Sequence, residues 1–264
     1  MLNSGIAGSY ISYLLKAKTR HGIHSPFVYD FVTQVLNDNN TYEEYKQIDE
    51  VVRQCKRSEK TIETTDFGAG SDNEPFKKRS RKISDIAASS GISKKMGRLL
   101  FRLVRYYRTE NILELGTSLG ISTMYLALAN PEAKVTTIEG CENTAELAKR
   151  NFGAVGINNI ESVTGNFRDV LGNTFKTIPR LDFAFIDGDH REESTFDYFE
   201  TCLTKAHNDT IMVFDDIYWS RGMTRAWKKI KKHQSVSVSI DLFRIGIVFF
   251  RKELSKEDFV LRAF

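Results

Sequence analysis

Cysteine is scarce. Cys55, Cys141 and Cys202 lie scattered over 264 positions; they match no metal-ligand spacing and cannot form a disulfide framework in a chain of this size. A cysteine-stapled or cysteine-zinc design is thereby excluded, and a reducing, cytoplasmic setting is predicted. Long apolar runs are also missing, since none approaches the roughly 20 residues needed to span a bilayer. In "GIAGSYISYLL" the basic residues follow the apolar part instead of preceding it, which predicts no signal peptide. No internal repeat is visible. Net charge is only +4, from 38 Lys/Arg and 34 Asp/Glu, but it is uneven. Residues 76–108 hold eleven Lys/Arg against the single acid Asp85, a local +10, so the remainder sums to about −6.

What is present is enough for one substantial core: 41% of the residues are hydrophobic, and this length suits one main domain with an extension. From Asn111 onward, strand-like runs alternate with helical patterns: "NILELG", "KVTTIEG", "IESVTGN", "LDFAFIDG" and "TIMVFDD" are each followed by a helix. Such alternation predicts a parallel sheet covered on both faces. The last two runs, "VSVSIDLF" and "IGIVFFRKE", are joined by too few residues for a parallel crossover and must pair antiparallel. Asn143 with Glu146 reads as a capping box, and Gly153 as a helix stop. Residues 1–107 differ, with helical patterns near 8–18, 26–37, 42–57 and 92–107 and a polar stretch over 58–82. In the helix near 92–107, Ile92, Met96, Leu99, Leu100, Leu103 and Tyr107 form one stripe, predicted to pack on the sheet domain. Lys95, Arg98, Arg102 and Arg105 are expected on its wet face. The expected organisation is a helical extension over 1–107 and a ligand-binding α/β domain over 108–264.

The chemistry gathers at strand ends, where open α/β sheets bind ligands. In "ILELGTSLG", Glu114 closes the first strand, Gly116 permits a tight turn, and Gly120 lets the next helix start close to a ligand. The E-x-G-x-x-x-G spacing departs from the G-x-G-x-x-G that cradles a pyrophosphate, so a nucleoside without phosphates suits it better. Glu139 closes "KVTTIE" about 20 residues later, where a carboxylate can accept both ribose hydroxyl protons. Two acids around one cofactor favour a cationic one, such as a sulfonium.

With "LELGTSLG", "TTIEG", "VTGNFRD", "FIDGDH" and "FDDIYW" in order, residues 108–264 resemble the class I S-adenosylmethionine-dependent methyltransferases. The resemblance implies a Rossmann-like, doubly wound, seven-stranded sheet, mostly parallel with an antiparallel last strand. It also implies S-adenosyl-L-methionine as cofactor, with Gly116, Thr117, Ser118 and Gly120 lining its methionine part, Glu139 its ribose, and Asn166 or Phe167 its adenine. A second glycine motif, "TTDFGAGS" over Thr64–Ser71, lacks a following helical pattern and reads as an exposed loop.

"FIDGDH" ends the fourth strand with Asp187, Asp189 and His190, and "FDDI" ends the fifth with Asp215 and Asp216. Crowded carboxylates repel and raise one another's pKa, so a hard divalent ion, Mg²⁺ or Ca²⁺ rather than zinc, is the economical companion. The "IDGDH" and "DDI" spelling is similar to metal-dependent small-molecule O-methyltransferases, including the catechol type and antibiotic-tailoring members. That resemblance implies Asp187, Asp215 and Asp216 as metal ligands, with Asp-Asp standing where the catechol type has Asp-Asn. Asp187 is also placed among the cofactor-binding and catalytic residues. His190 is the candidate base for an acceptor hydroxyl, against a plainer role as a helix-start histidine bonded to Asp187 or Asp189.

Tyr218 or Trp219 could wall an acceptor pocket or serve packing. "RHGIHSPFVYDF", with His21 and His24, reads either as a lid or as the docking segment of an N-terminal helix, and resembles an extension of bacterial methyltransferases of this kind. The reading that follows is methyl transfer to a hydroxyl of a small molecule, with no membrane partner and room for a homo-oligomer. Two alternatives stay open. One is a methyltransferase for RNA or another macromolecule, suggested by the +10 segment and Lys228, Lys229, Lys231 and Lys232, although no aromatics interleave the basic run to stack bases. The other is a cofactor-binding protein without catalysis.

Overall fold

The computed structural model describes residues 4–19, 22–65, 78–89 and 92–262. In chain order the helices are α1 (Ser4–Lys16), α2 (Pro26–Asp30), α3 (Glu43–Arg57), α4 (Ile83–Ser89), α5 (Lys94–Tyr107), α6 (Ile121–Ala129), α7 (Glu142–Val155), α8 (Phe167–Thr177), α9 (Glu192–Leu203) and α10 (Arg221–Lys232). The strands are β1 (Thr61–Thr65), β2 (Lys78–Lys82), β3 (Asn111–Leu115), β4 (Lys134–Glu139), β5 (Ile160–Thr164), β6 (Leu181–Ile186), β7 (Ala206–Phe214), β8 (Val238–Asp241), β9 (Gly246–Phe249) and β10 (Glu257–Val260). They form two compact units, Asn37–Ile178 and Met1–Leu36 with Pro179–Phe264.

In the unit Asn37–Ile178, β3 and β5 flank β4, all parallel, in register Leu113↔Thr136 and Thr136↔Glu161. Helix α5 starts where the Ser93 side chain accepts the Met96 N–H and ends at Arg108 in the left-handed region. Its buried face is Met96, Gly97, Leu99, Leu100, Phe101, Leu103 and Val104. Burying each large apolar side chain there stabilises by roughly 1.5–3 kcal/mol. Gly97 faces Tyr125 of α6, and a Cβ there would lie 2.2 Å from the ring, so only glycine allows this approach of the two helices.

The basic side of α5 is not simply in water, as the sequence suggests. Arg102 donates from Nη1 to the Asp38 carbonyl at 2.8 Å, and burial lowers its pKa. Arg98 lies over the Tyr45 ring and 3.7 Å from Asp49 of α3, and Arg105 lies over Tyr42. Aromatic rings and a carboxylate therefore cover much of the charge. The polar stretch contains another departure, because β1 and β2 pair antiparallel, Thr61↔Lys82 to Thr65↔Lys78. Of the upstream glycine motif, only Thr64 and Thr65 fall within the described residues.

Two local signals of α7 are also corrected. Cys141, not Asn143, is its N-cap residue, and Asn143 instead donates to the Glu63 carbonyl while Glu146 pairs with Lys149. The helix runs past Gly153 and stops at Gly156, whose φ of 73° closes it.

In the other unit, β6 is buried at every position, as a strand covered on both faces must be. It pairs parallel with β7, β7 antiparallel with β9, and β9 antiparallel with β8 in register Val238↔Phe249. The mostly parallel, Rossmann-like arrangement with an antiparallel end is thus borne out. Among the described residues, Glu257–Val260 adds a short strand parallel to β8 that the sequence did not suggest. Helix α1 docks here: Tyr13 donates its hydroxyl to the Leu261 carbonyl at 2.6 Å, and Lys18 N–H bonds the Val260 carbonyl. After α2, a π-helical turn over Phe31–Leu36 buries Phe31, Val32, Val35 and Leu36. Phe27 and Phe31 meet Phe249 edge-on. His24 is exposed just before α2, and His21 lies outside the described residues.

Candidate functional site

The turn after β3 is built from strained and glycine-dependent backbone. Gly116 has φ 104°, Ser118 φ 47° and Gly120 φ 78°; glycine adopts such angles freely and serine only at a cost. The Gly116 N–H bonds the Ile138 carbonyl, and the Gly120 N–H bonds the Thr117 carbonyl. A Cβ at Gly120 would sit 2.3 Å from Phe152. The turn is therefore fixed before any ligand arrives.

Glu139 locks this turn. Its Oε2 accepts the Ser118 N–H at 2.8 Å and its Oε1 the Cys141 N–H at 2.9 Å. Burial raises its pKa, and the N–H groups of Cys141, Ser118 and Gly140 oppose that rise. Each carboxylate oxygen keeps a lone pair for a further donor, so a diol could still bind.

Glu114 is fully buried, and its Oε2 accepts the hydroxyls of Thr123 at 2.5 Å and Thr137 at 2.6 Å. Thr137 in turn lies 2.5 Å from the Thr117 hydroxyl. Burial pushes the Glu114 pKa up to about 7, against the pull of Ser122, Thr123 and Thr137. Among the described residues, no hydrogen-bond partner meets its buried Oε1. Glu114 thus braces β3, β4 and α6 from inside. Asn166 caps α8, its side chain accepting the Arg168 N–H at 3.0 Å, with Phe167 opening that helix; both are half-buried. The Gly165 N–H bonds the Glu139 carbonyl, tying this loop to the end of β4.

The acids after β6 and β7 form a second constellation. Asp189, His190 and Asp216 have φ of 64°, 49° and 52°. With Ser118, four of the six non-glycine residues at positive φ among the described residues fall in candidate segments, and such strain gathers where side chains must be aimed. His190 Nε2 is 3.6 Å from Asp187 Oδ1, ion-pair range once the imidazole is protonated. Asp189 is engaged elsewhere, accepting from Arg191 at 2.7 Å and from the Tyr198 hydroxyl at 3.3 Å.

Sequence reasoning missed Arg244, in the turn between β8 and β9. Its Nε and Nη2 lie 3.4 Å from Asp215 Oδ1 and Oδ2, and its Nε 3.6 Å from Asp216 Oδ1. Burial raises the Asp216 pKa and the charge of Asp215 adds to it, while Arg244 and His190 oppose. Among the described residues, no group of three or more His, Cys, Asp or Glu side chains is placed to hold a metal ion. The cation that lies beside the Asp215–Asp216 pair is the Arg244 guanidinium.

Tyr218 stacks on Phe243 and donates at 2.6 Å to buried Asp241, which also accepts from Trp227 and the Phe243 N–H. Trp219 is exposed. Among the described residues, no helix is long and apolar enough to cross a membrane.

Comparison with known proteins matches these segments. A family model described as a methyltransferase domain fits residues 113–217, from the end of β3 through the Asp pair. Catechol O-methyltransferase of Mycobacterium tuberculosis is 29% identical over 138 residues, covering 50% of this chain and 59% of that protein. Catechol O-methyltransferase of Niastella koreensis is 30% identical over 129 residues, covering 48% and 58%. The chain thus spans less than three fifths of the length of these curated relatives. In fold, the O-methyltransferase from Bacillus cereus in complex with SAH is similar, with a TM-score of 0.56 and 23% identity over 84% of this chain and 97% of that one. The chain resembles O-methyltransferases in sequence over about half of its length and in fold over most of it.

Proposed function

We propose that this protein transfers the methyl group of S-adenosylmethionine to a hydroxyl of a small molecule. The observation that carries the reading is the preset turn Gly116–Gly120 locked by Glu139, within the segment matched by the methyltransferase model. Gly116, Thr117, Ser118 and Gly120 hold the methionine part, Glu139 the ribose hydroxyls, and Asn166 and Phe167 the adenine. Glu114 is a positioning residue that fixes Thr123 and Thr137.

In the reaction, His190 takes the acceptor's hydroxyl proton while the oxygen attacks the sulfonium methyl carbon. The carbon–sulfur bond breaks and its electron pair stays on sulfur. Asp187, 3.6 Å from His190 Nε2, stabilises the imidazolium that results. These steps use only side chains of this chain, and none is assigned to a metal. A small hydroxylated acceptor is the choice supported by the two catechol O-methyltransferase relatives. A macromolecular acceptor loses support because Arg98, Arg102 and Arg105 are engaged by rings, a carboxylate and a carbonyl.

The test supplies methyl-labelled S-adenosylmethionine with a panel of catechols and other small hydroxyl compounds, and separately with bulk RNA. Label in small ethers supports the proposal. Label confined to RNA, or no binding of the cofactor, overturns it.

A further inference from the structure

We infer that the Arg244 guanidinium is the cation built into the Asp215–Asp216 pair, in the place a divalent ion would otherwise take, and that wild-type protein binds no divalent ion there. The backbone sets this up. Strands β7 and β9 pair antiparallel with Phe214 opposite Gly246, so continuing the register puts Asp216 opposite Arg244. The Ile217 N–H bonds the Arg244 carbonyl at 3.2 Å, and the Asp215 N–H bonds the Ile186 carbonyl. Within the turn, Arg244 N–H bonds Leu242 O and Leu242 N–H bonds Ile245 O, with Phe243 held at φ 69°. Strand pairing thus sets the Arg244 backbone alongside the acids, and its half-exposed side chain reaches them.

The charges then settle the matter. The Asp215 side chain is 3% exposed, and an ionised carboxylate so buried needs a counter-charge. Arg244 meets both its oxygens at 3.4 Å in a forked arrangement and reaches Asp216 at 3.6 Å. A divalent ion at those oxygens would need contacts of about 2.0–2.6 Å beside a fixed positive charge, and it would have to displace the fork or be repelled by it. A guanidinium stays charged at any working pH, so the pair keeps its cation without drawing on solution ions.

The experiment titrates full-length protein with Mn²⁺, followed by the electron-spin signal of free Mn²⁺ and by Tm. Wild type should bind no Mn²⁺ at these acids up to millimolar concentration. Arg244→Gln should gain a site at least roughly tenfold tighter, with a Mn²⁺-dependent rise in Tm that Asp216→Asn abolishes. Arg244→Lys should behave as wild type. The inference is overturned if wild type binds Mn²⁺ in an Asp216-dependent way, or if Arg244→Gln binds none. Should Arg244→Gln not fold, the double variant Arg244→Gln/Asp216→Asn, which removes one charge of each sign, should fold; its failure would also overturn the inference. Asp215 and Asp216 take no step in the proposed reaction and ion binding is read without cofactor or turnover, so absence of methyl transfer would leave this result standing.

Discussion

Replacing Gly120 with alanine should damage the protein more than the same change at Gly156, by an amount the geometry supplies. Both glycines are in the left-handed region, at φ 78° and 73°, which costs an L-residue roughly 1–2 kcal/mol. At Gly156 nothing among the described residues lies within 4 Å of an added Cβ, so this backbone cost is the whole expected effect. At Gly120 the Cβ would meet Phe152 at 2.3 and 2.7 Å and Ala148 at 3.2 Å. Phe152 is itself buried and has little room to swing away, which adds about 1–3 kcal/mol of overpacking. Gly120→Ala should therefore lose about 2–5 kcal/mol, read as a lower urea midpoint at unchanged slope. It should also weaken S-adenosylmethionine binding, because Gly120 N–H to Thr117 O closes the turn, whereas Gly156→Ala should not. Equal losses for the two variants would refute the claim that the turn is held this closely against α7.

Other outcomes follow from the same geometry. Glu114 has a folded pKa of about 7 against an ordinary 4.5, so its contribution to stability is full below pH 4.5 and declines up to about pH 7, by on the order of 3 kcal/mol; Glu114→Gln should flatten that segment of the stability–pH curve, and an unchanged slope would contradict the burial argument. Tyr218→Phe removes a donor from buried Asp241 and should cost about 1–3 kcal/mol in denaturant unfolding, so an unaffected midpoint would show that the bond is not needed. His190→Ala should slow methyl transfer by about 10² to 10⁴-fold with cofactor affinity retained, and wild-type rates in the variant would remove His190 from the chemistry.

The strand-end residues were readable because each falls where an apolar run closes: Glu114 is the penultimate residue of β3, Glu139 ends β4, and Asp187 and Asp215 follow β6 and β7 directly. Antiparallel pairing of β8 with β9 was equally forced by the short connection. What was hidden lay in tertiary context. The strand β2 is "KRSRK", with no apolar alternation to mark it, and the basic side of α5 is covered by rings from residues 42 and 45 that share no periodicity with it. Arg244 carried no motif, because its meaning comes only from the register that brings it opposite Asp216. Asn143 and Glu146 had the right spacing for a cap, but Cys141 starts the helix two residues earlier.

The central claim is that the turn locked by Glu139 is a sulfonium-cofactor site, and calorimetric titration of wild type and Glu139→Ala with S-adenosylmethionine tests it most directly. Removing the carboxylate strips the acceptor from the Ser118 and Cys141 N–H groups and from the ribose hydroxyls. Wild type should bind the cofactor, and the variant should bind it weaker by roughly 1.5–3 kcal/mol, or about 10- to 150-fold. Wild-type protein that binds NAD and ignores S-adenosylmethionine, or a Glu139→Ala variant with undiminished affinity, would contradict the account.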